Sequence, residues 1–258
     1  MAARLLFGSM GWQEKDWLGP FYPEGTKTED MLALYSRSLP TVEVDSTFYG
    51  RPRETAVAAW AQAVPDDFRF ALKVPREVTH RRHFEGAGEY FGLFIQRVRA
   101  LGPKLGAILL QCGREFRPSQ ANRALLFEFM ETQLPQGIRV ALELRSAEWY
   151  DDALFDLARE NGFALAATES EFSSIDLAER ILHVQGDALD FAYLRFMGKE
   201  ALERYNEVQL DVSASLDRWT KIIGELRERV SEIYGFVSDD YSGHAPATAR
   251  DILARCSV

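Results

Sequence analysis

Three strand-like runs carry their charge on one side only: Val42-Glu43-Val44-Asp45, Phe70-Ala71-Leu72-Lys73 and Val140-Ala141-Leu142-Glu143-Leu144-Arg145. Strand side chains alternate faces, so Glu43 with Asp45, Ala71 with Lys73, and Glu143 with Arg145 share one face, while the valines, leucines and phenylalanine share the other. Burying charge is costly unless it is paired. Acids and bases repeated at the C-terminal ends of otherwise apolar strands therefore predict a polar floor where several strands converge. A (β/α) barrel builds its active site in that way.

The rest of the chain fits the same plan. Eight β-type runs stand out: Arg4 to Ser9, Thr41 to Thr47, Phe68 to Val74, Gly106 to Gln111, Arg139 to Arg145, Phe163 to Glu169, Phe191 to Phe196 and Ile233 to Ser238. Between them, Val57, Trp60, Ala61 and Val64 fall at helical spacing, and Leu216, Trp219, Ile223, Leu226 and Val230 mark a longer stripe. Pro118 suits the first turn of a helix running to Gln133, and Ala245 to Cys256 reads as a final helix. Ser170 to Asp190 is the weakest unit: Phe172 to Leu182 has no convincing stripe, and a helix there is expected to be short or displaced. At 258 residues, with 47% hydrophobic and 27% charged residues, the chain suits a single-domain, parallel eight-stranded (β/α)8 TIM-type barrel over residues 1–258. A doubly wound open sheet is the rival, but Gly8-Ser9-Met10-Gly11 is too loose a match to its Gly-rich phosphate turn.

Cys112 and Cys256 stand alone, so neither a disulfide framework nor a thiolate zinc site is indicated, and Cys112 reads as a small buried apolar residue. The N-terminus is too short an apolar run for a secretory signal, and no run approaches a membrane span; a cytoplasmic location is the expectation. Net charge is −9, which argues mildly against nucleic-acid binding. Its distribution is uneven. From Arg69 to Arg123 eleven basic residues face four acidic ones, giving +7 and leaving −16 for the remainder. That sector is a candidate anion-binding surface, solvated surface charge being the plain alternative.

Gly8-Ser9-Met10-Gly11-Trp12 with Phe21-Tyr22-Pro23, the run from Val42 to Tyr49, the run from Phe68 to His80, Leu109-Leu110-Gln111, Ala141 to Arg145 with Trp149, and Tyr193-Leu194-Arg195 with Gly198 occur in this order along nearly the whole chain. In these stretches the sequence resembles the domain-of-unknown-function-72 family, also called YecE-like. The resemblance implies a TIM-type barrel with a polar pocket at the strand C-termini; it supplies no reaction. Three departures stand out. Where the family commonly shows Arg-Leu-His-Gly, this chain has Arg195-Phe196-Met197-Gly198. The usual proline-rich turn after Gln111 becomes Cys112-Gly113-Arg114, and the usual paired asparagines, or asparagine with aspartate, at the end of the last strand become Asp239 and Asp240.

Glu43, Asp45, Lys73 and Glu143 are the candidate acid-base residues, because close carboxylates beside cations can hold different protonation states. Trp12, Tyr49, Thr79, His80, Gln111, Arg145, Trp149, Arg195, Asp239, Asp240, Tyr241 and His244 are candidate substrate contacts at the same mouth. Asp45 or Glu43 should approach Lys73. Glu143 and Arg145, roughly 7 Å apart along one strand, should share a ligand rather than pair. Glu143 and Arg195 are expected to be hydrated; a self-satisfied salt-bridge network plugging the mouth is the competing account. Oxygen ligands for a hard cation exist, but no compact spacing supports a metal and the neighbouring Lys73 and Arg145 oppose one, so no metal or cofactor is expected. The expected function is a hydrolase or isomerase acting on a phosphorylated or otherwise anionic, sugar-like small molecule. The alternative is a nucleic-acid-binding or nuclease-like module using Arg76, Arg81, Arg82, Arg114 and Arg117. No membrane partner is expected, and oligomeric state is not legible.

Overall fold

The structure, a computed structural model, describes residues 2–185, 189–198 and 201–256. Its strands are β1 (Arg4–Ser9), β2 (Thr41–Val44), β3 (Arg69–Lys73), β4 (Leu105–Gln111), β5 (Arg139–Glu143), β6 (Ala164–Leu165), β7 (Ala167–Glu169), β8 (Phe191–Phe196) and β9 (Glu232–Val237). The helices are α1 (Thr28–Tyr35), α2 (Glu54–Ala63), α3 (Gly88–Val98), α4 (Gln120–Thr132), α5 (Asp152–Asn161), α6 (Ile175–Gln185), α7 (Ser213–Leu226), α8 (Asp239–Ser242) and α9 (Ala245–Cys256). All strand pairs are parallel, in one sheet ordered β1-β9-β8-β7 and another ordered β2-β3-β4-β5-β6. This is an α/β fold with two parallel sheets. The expected sixth strand divides into β6, paired with β5, and β7, paired with β8, so one run carries the chain from one sheet to the other. On the opposite side Met10 bridges to Glu43, and Gly11 N–H donates to the Glu43 carbonyl at 2.8 Å. Gly8 permits that approach: a Cβ there would stand 1.9 Å from the Thr41 carbonyl oxygen.

Alternation sorts the strand side chains into two layers. Leu6, Tyr193 and Tyr234 from one sheet meet Ala71, Leu109 and Ala141 from the other in an inner cluster, large rings facing small residues. Phe7, Val42, Leu72, Leu142 and Leu194 point the other way and pack under Leu126, Leu216, Ile223 and Ile252 of the helices.

Several expected boundaries shift for local reasons. The second and fifth runs end at Val44 and Glu143, so Asp45 begins a 3₁₀ turn (Asp45–Tyr49) and Arg145 lies beyond its strand. Pro118 precedes α4 rather than opening it, because Ser119 is the N-cap and its hydroxyl accepts from Asn122 N–H. The segment after Ser170, expected to lack a stripe, forms α6 with Ala178, Ile181, Leu182 and Gln185 buried at i, i+3, i+4 and i+7. That stripe contains a glutamine, whose side-chain oxygen accepts from Leu165 N–H, and a hydrophobicity pattern passes over it. Residues 186–188 of the same segment lie outside the described residues.

Candidate functional site

Arg195, second from last in β8, is wholly buried among the inward side chains at the C-terminal ends of the strands. Its Nη2 and Nε donate to Glu43 Oε1 and Oε2 at 2.6 and 3.1 Å, and its Nη1 donates to Glu143 Oε2 at 2.5 Å. Tyr193, two residues earlier on the same face, donates its hydroxyl to Glu43 Oε2 at 2.6 Å. Gln111 Nε2 donates to Glu143 Oε1 at 2.8 Å. Arg195 and Glu143 are 0% and 3% exposed, which corrects the expectation that these two are hydrated; with Glu43, also 0% exposed, they pair in a shared buried network. Burial pushes the Glu43 carboxyl up and Asp45 adds to that, while Arg195 opposes it. Its two oxygens receive three donors, so the ionised form is the one this geometry holds. Glu143 is also pushed up by burial, but Arg195, Arg145, the Gln111 bond and Lys73 outweigh this and hold it at about 2.

Above this layer lies a wetter rim. Lys73 Nζ stands 3.3 Å from Asp45 Oδ1 and 4.8 Å from the centre of the Phe48 ring. The other side of that approach is His80, whose ring meets Phe48 edge-on at 4.9 Å. Thr79, fully buried, shares a 2.9 Å hydrogen bond with His80 Nδ1. Burial lowers the His80 pKa, Glu115 opposes, and Arg145 and Lys73 add to the lowering, so the imidazole is neutral at neutral pH. Arg145 Nε lies 3.4 Å from Glu143 Oε1: the two do touch, against expectation, because β5 ends at Glu143 and the chain turns. Tyr49 is 74% exposed with Arg76 5.7 Å from its ring centre.

The remaining candidates are placed elsewhere. Trp149 is fully buried, stacked 5.2 Å from Phe116 with its Nε1 donating to the Phe116 carbonyl, and Trp12 packs edge-on against Trp60; neither offers a free face. Asp239 and Asp240 pair with neither Arg195 nor Arg145. Asp239 Oδ1 accepts from Trp17 Nε1 and from Ala245 N–H at the start of α9, and burial raises its pKa to about 7. Asp240 Oδ1 accepts from the Tyr205 hydroxyl at 2.6 Å. Tyr241 donates its hydroxyl to Glu169 Oε2, and buried His244 accepts from Ala247 N–H through Nδ1. These four anchor loops around α8. Among the described residues no group of three or more His, Cys, Asp or Glu is placed to hold a metal ion. A groove of about 430 Å³ lies on the outer face between α6 and α7, where Arg218 pairs with Asp176 and Glu179, away from the strand ends.

Four residues at the C-terminal ends of the strands were not among the sequence's site candidates, although Met10, Met197 and Tyr193 fall in the stretches quoted above. Met197 and Met10 place their sulfurs 3.2 and 3.3 Å from Arg195 Nη1 and Nη2. Thr168 lies level with Arg195 on the neighbouring strand, and its buried hydroxyl has no hydrogen-bond partner among the described residues. Tyr193 is the fourth. Period-two alternation from Arg195 and from Ala164 reaches three of them; Met10 lies past the end of β1.

A sequence model described as "Protein of unknown function DUF72" matches residues 6–258. The UPF0759 protein YecE of Escherichia coli (strain K12) is 28% identical over 119 residues, 46% of this chain and 43% of the relative, so the match spans less than half of that protein's length. A DUF72 family protein from Thermotoga maritima MSB8 superposes with a TM-score of 0.79 at 24% identity, covering 98% of this chain and 99% of the other. A psychrophilic glycoside hydrolase family 10 endo-β-1,4-xylanase superposes at a TM-score of 0.54 and 8% identity, covering 96% of each chain, a likeness of fold alone. With the family match running over almost its whole length, this chain belongs to the DUF72 family.

Proposed function

We propose that the two sheets are arcs of one closed, single-domain (β/α)8 barrel and that its C-terminal mouth is an enzyme pocket for a small anionic, sugar-like molecule. The division of the sixth run between the sheets and the Met10–Glu43 bridge support closure at both seams. The observation that carries the pocket is the contrast between two charge layers. Arg195 already meets Glu43 and Glu143 at 2.5 to 2.6 Å, whereas Lys73 and Arg145 on the rim hold only longer carboxylate contacts of 3.3 and 3.4 Å. A bound anion exchanges those loose contacts for charge-assisted bonds. Asp45 and neutral His80 flank the same rim and serve as proton donor and acceptor for hydrolytic or acid-base chemistry. Glu43 and Glu143, each already taking three donors, hold the frame.

The basic sector favours this reading over a nucleic-acid surface, because most of its guanidiniums, that of Arg76 excepted, are engaged within the chain. Arg81 and Arg82 pair with Glu77, Arg114 with Glu171, and Arg123 with Asp151. Thermal unfolding with inorganic phosphate and ribose 5-phosphate tests the pocket: stabilisation is expected, and Lys73→Met or Arg145→Leu should remove it. Equal shifts from chloride at matched ionic strength, unchanged in both variants, would refute the anion site. Turnover of sugar phosphates followed by NMR, lost in Asp45→Asn and His80→Gln, tests the chemistry.

A further inference from the structure

Arg195 has five N–H groups. Three go to carboxylates, and the two that remain, one on each terminal nitrogen, rest on the thioethers of Met197 at 3.2 Å and Met10 at 3.3 Å. Thioether sulfur is a weak acceptor, so a buried guanidinium with two donors spent this way is under-satisfied. Both methionines are only half-buried and are flexible side chains, able to swing aside. Beside them, Thr168 is 4% exposed and its hydroxyl oxygen has no hydrogen-bond partner among the described residues. Ala164 and Ala166 belong to the inner cluster, so alternation points Thr168 to the same interior, at the level of Arg195.

The charge of this layer decides what binds there. Glu43 and Glu143 against Arg195 leave one excess negative charge, which repels an anion placed directly on Arg195. A hydroxyl group suits the layer better: its oxygen accepts from an Arg195 N–H in place of sulfur, and its proton goes to Glu143 or Thr168 Oγ1. Resting on the anion pocket proposed above, we infer that the inner mouth is a hydroxyl-recognition subsite, with Arg195, Thr168 and Glu143 reading the hydroxyls of a polyhydroxylated anion. Its charged end lies on Lys73 and Arg145. Met10 and Met197 line the subsite and give way on binding, and Thr168 is the specificity-determining residue.

Calorimetric titration of the whole chain with inorganic phosphate, ethyl phosphate and ribose 5-phosphate separates the two layers. Wild-type protein should bind ribose 5-phosphate more tightly than ethyl phosphate. Thr168→Val should cost about fivefold or more for ribose 5-phosphate and leave the other two unchanged. Thr168→Ser, which keeps the hydroxyl, should restore the preference, and Lys73→Met should weaken all three. If phosphate and its esters bind in a Lys73-dependent way but Thr168→Val changes none or all alike, the hydroxyl subsite is refuted while the anion pocket stands. If none of the three binds wild-type protein at millimolar concentration, both fall.

Discussion

Replacing Arg195 by methionine removes the guanidinium that hydrogen-bonds both deep carboxylates. Glu43 loses bonds of 2.6 and 3.1 Å and keeps only the Tyr193 hydroxyl; Glu143 loses one of 2.5 Å but keeps Gln111 and Arg145. Stranding one member of a buried pair typically costs about 3 to 5 kcal/mol, and Glu43, with no exposure, is the residue stranded. Arg195→Met should therefore destabilise by about 4 kcal/mol in urea unfolding at pH 7, read as a lower midpoint at unchanged slope. Glu43→Gln alone should cost about 2 to 3 kcal/mol, since its amide NH2 faces the donors of Arg195 and Tyr193. The double variant should cost less than the sum by at least about 2 kcal/mol, because the stranded charge is gone. Acidification supplies a second reading. The stranded carboxylate has a raised pKa and takes up a proton, so the deficit of Arg195→Met should shrink from pH 7 towards pH 5. Single variants that each cost under about 1.5 kcal/mol and add without coupling would mean the cluster is hydrated, and the argument fails.

Glu143 titrates near 2 in the folded chain against a usual 4.5, so its contribution is present above pH 4.5 and lost as pH falls through about 2; the stability difference between wild type and Glu143→Gln should shrink by about 3 kcal/mol across that window. Asp239 is the opposite case, a carboxyl raised from 3.8 to about 7, whose ionisation removes stability as pH rises through that interval. Asp239→Asn, which keeps an acceptor for Trp17 and Ala245, should gain on wild type between pH 5 and 8 by up to about 2 kcal/mol in the same assay; a flat difference would place Asp239 in water. Gly8→Ala should lower stability by about 3 kcal/mol or force the first two strands apart, because its Cβ meets a backbone carbonyl that cannot rotate away; an unchanged melting temperature would show the strands free to separate.

The one-sided charges of the second, third and fifth strands were legible because period-two alternation is a local rule, and they carry Glu43, Lys73 and Glu143 to the same end of the fold. The first strand, Arg4–Ser9, and the last helix, Ala245–Cys256, were equally plain, bounded by sharp changes in residue type. Partner choice was not local. Arg195 lies 152 residues from Glu43 and 52 from Glu143, and nothing near any of them records that one guanidinium would satisfy both carboxylates. For the same reason the sequence could not separate Trp149, stacked on Phe116 between β4 and α4, from an aromatic facing the strand ends, nor show that Asp239 and Asp240 would be consumed in holding loops. Strand alternation fixes which face a side chain takes; which opposing charge meets it, and whether water is excluded there, depends on segments brought together only when the two sheets pack.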